Sequence, residues 1–515
     1  MIRSSLASIF AIALTCQAFG LDSVPTDAGP VSGVEASEGS DVTVFRGIPF
    51  AAPPVGELRW QPPQPVESWE ETRVCDTFGP ISWQGKNQGK CNEDCLYLNV
   101  WTPKEKPAEK LPVMVWIHGG GLRSGSGSLK NYDGEEFAKR GVVLVTINYR
   151  LGALGYFAHP ELSKESSEGV SGNYGFLDQI AALKWVQRNI EAFGGDKDRV
   201  TIFGESAGGT SVFVLGASPL AKGLFHRSIL QSAWLDPGIF QPLSAADGEP
   251  NAEAAGAEIA AKVLGANGKL TKDVLAQLRA LPAKQILDQL KGGSPVTIDG
   301  HFLPKHPELI FAEGSHNQVP TIAGTNRDEG TMFAGGAAGL SVEQFEKRTQ
   351  QVFGESTDTV LEFYQVEENK QVLPTTVQMI TDGWFVQPTR RYARAIAKSD
   401  GKAWMYHFER VSPNWTFLGA AHAAEIVFVF NTLNESKMKG ANKEIAEAMI
   451  SYWVQFAKTG DPNVEGFHAW PAYNAADEKH LVIDAEFKVE SKLRCEACEM
   501  LDSIRTLDEL KVSKE

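Results

Sequence analysis

Val200-Thr201-Ile202-Phe203-Gly204-Glu205-Ser206-Ala207-Gly208-Gly209 is the stretch on which the reading of this chain turns. Its first four residues are β-branched or aromatic and suit a buried strand. Small residues then crowd around one serine, and a helix begins near Ala207. A strand, a sharp turn and a helix in that order form a nucleophile elbow, which raises a serine hydroxyl above the end of a sheet. The flanking residues must be small because the serine backbone is strained and closely packed. The turn also places a helix N-terminus, with its partial positive charge, beneath any oxyanion formed on that hydroxyl.

Outward from this point, Val42 to Phe45, Leu96 to Trp101, Val113 to Ile117 and Val142 to Asn148 read as further strands. Between them, Leu177, Ile180, Leu183 and Ile190 recur near helical spacing and predict a helix over Phe176 to Ile190. Strands rich in Val and Ile that alternate with helices predict an α/β protein with a mostly parallel central sheet flanked by helices. After Leu230 the chain is richer in helical segments, broken by Gly- and Ala-rich stretches such as Gly335 to Gly339. These suit large helical insertions around one sheet, so a single domain is expected over residues 21–515.

A second motif, His118-Gly119-Gly120-Gly121, directly follows the apolar run Val113 to Ile117. Successive glycines free the backbone to aim two amides at one point, as in the HGGG loop of lipases and esterases. Gly120 and Gly121, with the amide of Ala207, are the candidate oxyanion donors. The serine needs a base, and in this architecture the chain order is Ser, then Asp or Glu, then His. Among the later histidines, His422 lies among small residues in Ala420-Ala421-His422-Ala423-Ala424-Glu425, which leaves room for an accessible imidazole. His226, His407, His468 and His480 read as packing or surface groups. The orienting acid belongs in Gly324-Thr325-Asn326-Arg327-Asp328-Glu329-Gly330, a strand-end loop after the apolar Val319 to Ala323. Either Asp328 or Glu329 fits the chemistry, and spacing does not choose between them.

The 515 residues carry 64 acidic and 49 basic side chains, a net charge of −15. An acidic surface repels phosphate backbones, which argues against nucleic acid as a partner. Residues 1–20 resemble a secretory signal: Arg3, then an apolar run from Leu6 to Leu14, then small residues Ala18 and Gly20. That run is too short to span a bilayer, no later segment is apolar for long enough, and a secreted or periplasmic protein is expected. Five cysteines follow: Cys75, Cys91, Cys95, Cys495 and Cys498. Export permits disulfides, and two pairs with one thiol over is the simplest count. Cys495 and Cys498 form a CxxC with no second ligand pair beside it, so a structural role is expected rather than a metal site. Asn414-Trp415-Thr416 and Asn434-Glu435-Ser436 are N-glycosylation sequons.

Longer motifs carry a family resemblance. Phe45-Arg46-Gly47-Ile48-Pro49-Phe50-Ala51, Glu93-Asp94-Cys95-Leu96-Tyr97-Leu98-Asn99-Val100-Trp101, Asn148-Tyr149-Arg150-Leu151-Gly152 and Gly460-Asp461-Pro462-Asn463 resemble those of type-B carboxylesterases, the family that includes the cholinesterases. The resemblance runs from about Val42 to beyond Trp470. It implies an α/β-hydrolase fold and a serine esterase acting on small-molecule esters through an acyl-enzyme, without metal or cofactor. It assigns the triad to Ser206, Glu329 and His422, and it makes Glu205 and Glu425 buried acids that tune the imidazolium.

Departures from the family pattern carry expectations of their own. The family closes a disulfide at the cysteine of its Glu-Asp-Cys motif, here Cys95, but the partner position reads Ser82. A bridge would then use Cys75 or Cys91, or be absent. Trp83 belongs with the Phe78-Gly79-Pro80 segment rather than with a choline-binding tryptophan. Where the family has an aromatic after its glycines, this chain has Leu122 and Arg123. Two rival readings remain: a non-catalytic binding or adhesion relative, and a lipase, amidase or acyltransferase using the same site.

Overall fold

The computed structural model describes residues 23–507 apart from 86–90, 106, 246–248, 266–272, 291–294 and 400. The signal sequence expected over residues 1–20 lies outside the described residues.

An eleven-stranded sheet forms the centre. In chain order its strands are β1 (Val34–Glu35), β2 (Val42–Pro49), β3 (Tyr97–Pro103), β4 (Leu111–Ile117), β5 (Val143–Ile147), β6 (Gly195–Glu205), β7 (Arg227–Gln231), β8 (Thr321–Asn326), β9 (Ala403–Phe408), β10 (Lys479–Ile483) and β11 (Lys488–Ser491). Across the sheet they run β11-β10-β9-β8-β7-β6-β4-β5-β3-β2-β1. Every pairing from β5 through β10 is parallel, while β1, β2, β3 and β11 pair antiparallel at the two edges. The mostly parallel sheet is the one expected, and each predicted strand lies within or overlaps an observed one.

Two apolar layers hold the sheet between helices. Successive side chains of a strand point to opposite faces. Val113, Val115 and Ile117 of β4 therefore join one buried cluster, and Met114 and Trp116 join the other. The first face receives α1 (Tyr174–Asn189), through Phe176, Ile180 and Leu183, and α2 (Ala207–Ala217), through Val212 to Leu215. Two further helices are α3 (Val342–Phe353) and α4 (Asn369–Ile380). They belong to an insertion with its own small core around Phe345 and Val372. A π-helical turn over Thr381–Val386 leads from α4 into α5 (Gln387–Lys398), which returns to the first face. The opposite face is covered by α6 (Ala441–Thr459), whose Ile445, Met449 and Trp453 are buried, and α7 (Cys495–Ile504) ends the described chain.

Two disulfides were expected, and among the described residues none is present. Cys75, Cys95, Cys495 and Cys498 stand as thiols. Cys95 is fully buried and hydrogen-bonds with Ser82, so a hydroxyl sits where the family pattern would put the second sulfur. Cys498 is buried against Arg390, while Cys495 faces Glu499 at 3.0 Å. Trp83 packs onto the cluster around Trp60 and Leu154. Among the described residues no helix is long and apolar enough to cross a membrane.

Candidate active site

β6 runs into α2 through Ser206, whose backbone sits at φ 57°, ψ −122°, a region that costs a non-glycine residue of order 1–3 kcal/mol. The surrounding packing enforces it. The Ser206 amide donates to Gln231 O at 3.0 Å, and its carbonyl accepts from Thr210 N at 2.8 Å. A methyl group on Gly208 would collide with the carbonyl oxygen of Ile117, which explains the run of small residues after the serine. Ser206 is 8% exposed.

The glycine loop lies against this turn. A methyl on Gly119 would stand 3.0 Å from Ser206 Cβ. Gly120 and Gly121 both take positive φ, 108° and 63°, conformations that side chains rarely allow. Among the described residues neither amide donates to a backbone or side-chain acceptor. Ala207 opens α2, and the first amides of a helix lack intrahelical partners. The loop is braced by Gln84, which exchanges two hydrogen bonds with the backbone of Gly125, and by the Tyr149 hydroxyl, which donates to His118 O at 2.7 Å. Burial pushes His118 down to about 4, so it is neutral beneath the loop. Leu122 is fully buried, whereas Arg123 projects to solvent.

His422 Nδ1 is 2.6 Å from Glu329 Oε2, and both side chains are buried. The other Glu329 oxygen accepts the amide of Asn326 at 2.7 Å. Asp328, equally acceptable by spacing, points away from the imidazole. Its carboxylate accepts Ala420 N at 2.7 Å and pairs with Arg327 at 2.8 Å, so it anchors the loop that carries His422. The second imidazole nitrogen, Nε2, lies 3.1 Å from Glu205 Oε1. Phe333 and Phe385 close the ring in, each with its centroid 5.0 Å from that of His422.

Glu425 does not touch the imidazole. It accepts from Asn326 Nδ2 at 2.7 Å and from Gln231 Nε2 at 3.0 Å, and Gln231 Oε1 accepts from Trp453 Nε1 at 3.0 Å. Asn326 therefore bonds Glu329 through its backbone and Glu425 through its side chain. Sequence reading missed Gln231, Asn326 and Trp453 as site residues. The one signal present was Asn326 at the end of strand β8, within the stretch that also holds Asp328 and Glu329.

Three carboxyl groups around one imidazole dominate the electrostatics. Burial pushes Glu205 up to about 8, with Glu425 and Glu329 adding repulsion and His422 opposing them. Burial works against charge on His422, yet Glu205 and Glu329 outweigh it and raise its pKa. Burial likewise raises Glu425.

A sequence profile described as the carboxylesterase family matches residues 21–501. The chain belongs to that family. Among curated relatives, the fumonisin B1 esterase of Sphingopyxis macrogoltabida is 39% identical over 470 residues, covering 88% of this chain and 85% of that protein. The para-nitrobenzyl esterase of Bacillus subtilis is 36% identical over 500 residues, covering 91% and 96%. A solved PNB esterase structure superposes with a TM-score of 0.80 at 35% identity, covering 93% of this chain and 99% of that one. The α/β-hydrolase fold and a carboxylic ester hydrolase activity follow for this carboxylesterase.

Proposed function

We propose that this carboxylesterase cleaves small-molecule esters through an acyl-enzyme on Ser206, with His422 as general base and acid and Glu329 as the carboxylate that orients it. The observation that carries this reading is a strained serine packed against a glycine loop with two unengaged amides, together with an imidazole bonded at 2.6 Å to a buried carboxylate.

In the first half-reaction Ser206 Oγ bonds to the ester carbonyl carbon and its proton passes to His422 Nε2. The carbonyl electron pair moves onto oxygen, where Gly120, Gly121 and Ala207 donate to it. Each such donor contributes on the order of 3 kcal/mol to the transition state. As the carbonyl re-forms, the C–O bond to the alcohol breaks and His422 returns the proton to the leaving oxygen. Water repeats the sequence, frees the acid and restores the serine. Glu329 fixes the Nδ1–H tautomer and stabilises the imidazolium.

Ser206→Ala is expected to reduce kcat on p-nitrophenyl acetate by roughly 10⁶-fold while leaving the fold intact. A fluorophosphonate should label the wild-type protein at Ser206, located by peptide mass spectrometry. Full turnover by the alanine variant would overturn the reading. The signal-like sequence over residues 1–20 supports export, and N-terminal sequencing of the mature protein after residue 20 would test it.

A further inference from the structure

The Gly120 and Gly121 amides are backbone groups, so their direction is set by the peptide units they belong to. In a trans peptide the N–H points opposite to the C=O of the same unit. The Gly120 amide shares its unit with Gly119 O, which accepts from His118 Nδ1 at 2.8 Å. The Gly121 amide shares its unit with Gly120 O, which accepts from Arg123 N at 3.1 Å, Ser124 N at 3.0 Å and Ser124 Oγ at 3.1 Å. Each unit is held at its carbonyl end, which leaves its N–H unengaged on the other side.

The far end of the loop holds those donors in turn. Gly125 lies on the start of the loop, where a methyl group on it would collide with the His118 ring and with Gly119 O. One side chain grips both polar groups of Gly125. Its amide donates to Gln84 Oε1 at 2.9 Å, and its carbonyl accepts from Gln84 Nε2 at 2.9 Å. Gln84 is buried, and the same Nε2 donates to Ser82 O at 3.1 Å. The segment that carries Gln84 is itself anchored. The Ser82 hydroxyl accepts Leu151 N at 3.2 Å, and Trp83 packs on the Trp60 cluster.

We propose that Gln84 and Ser124 are positioning residues for ester cleavage, which aim the Gly120 and Gly121 amides at the developing oxyanion through the peptide units rather than by contact with the substrate. The inference rests on the assignment of those two amides to the oxyanion. Preorganised donors stabilise a charge that appears only in the transition state, so misaimed donors cost rate and leave ground-state binding intact.

Two ketones separate these effects. With an alkyl trifluoromethyl ketone, Ser206 Oγ bonds to the carbonyl carbon, the serine proton passes to His422 and the carbonyl electron pair becomes an oxyanion. The matching methyl ketone keeps its carbonyl and binds as a ground-state analogue. Gln84→Met keeps the length of the side chain but removes its three hydrogen bonds. It is expected to raise Ki for the trifluoromethyl ketone, and to lower kcat/KM on p-nitrophenyl acetate, by roughly tenfold, a fraction of the loss of a whole donor. Ki for the methyl ketone should stay within about twofold of wild type. Ser124 is exposed, so Ser124→Ala tests the same route whether or not Gln84→Met folds. Its expected effect is in the same direction and roughly threefold, as suits one solvent-exposed hydrogen bond. Equal weakening of both ketones in the two variants, or no change with either, would overturn the proposal. Failure of the Ser206 reading would show separately, as a wild-type protein that binds the trifluoromethyl ketone no more tightly than the methyl ketone.

Discussion

Glu205 Oε1 stands 3.1 Å from His422 Nε2, the nitrogen assigned to receive the serine proton. The residue beside Ser206 therefore sets part of the field on the His422 imidazole. Burial pushes Glu205 up to about 8, while Glu205 and Glu329 raise His422 against its own burial. A carboxylate next to an imidazole stabilises the cation and raises its pKa, and removal of that carboxylate lowers it. Glu205→Gln should move the acidic limb of the kcat/KM profile to lower pH by about one unit. A limb that stays in place when kcat/KM is measured from pH 5 to 9 would contradict this assignment.

Asn326 is the shared partner of two buried acids. Asn326→Asp keeps its shape but replaces the amide donor to Glu425 with a further carboxyl group. Such a group is tolerated when protonated and costs most when ionised. The variant should lose roughly 2–4 kcal/mol of stability at pH 8 and less at pH 5. Urea unfolding at both pH values measures it, and an equal loss at the two would contradict the network.

The α2 helix approaches β4 so closely that Gly208 has no space for a side chain. Gly208→Ala is therefore expected to destabilise the protein by about 3 kcal/mol through overpacking. It should also lower kcat by displacing Ser206 and the start of the helix. Thermal unfolding and turnover of p-nitrophenyl acetate test both effects.

Thiol chemistry gives a further check. Cys75, Cys95 and Cys498 are buried, and burial pushes the thiols of Cys75 and Cys498 up to about 11. An aromatic disulfide reagent at pH 8 should leave these three unmodified in the native enzyme and titrate them once guanidinium unfolds it. Mass spectrometry of the labelled peptides identifies them, and rapid native labelling of Cys95 would contradict the packing.

Much of this arrangement was legible in the sequence because its signals are local. The strand before Ser206 and the small residues after it define the elbow, and the glycines after β4 announce a loop of unusual backbone. Spacing could not choose between Asp328 and Glu329, because adjacent residues differ in direction rather than position. One turns toward His422 and the other toward Ala420 N. The contacts of Gln231, Asn326 and Trp453 join residues far apart in the chain, and such pairings leave no periodic trace. The cysteine count misled for a related reason: oxidation depends on which sulfurs meet, and Cys95 meets the hydroxyl of Ser82.

Asp328 and Ala421 form an isolated parallel bridge, reinforced by the Asp328 amide donating to Ala420 O at 3.0 Å and by Ala420 N on the Asp328 carboxylate. This stitch closes the base of the excursion that carries α3, α4 and α5, so the imidazole and its carboxylate, 93 residues apart in the chain, are fixed to one another next to the sheet. The helical insertion between them can therefore change in length without parting the imidazole from its carboxylate.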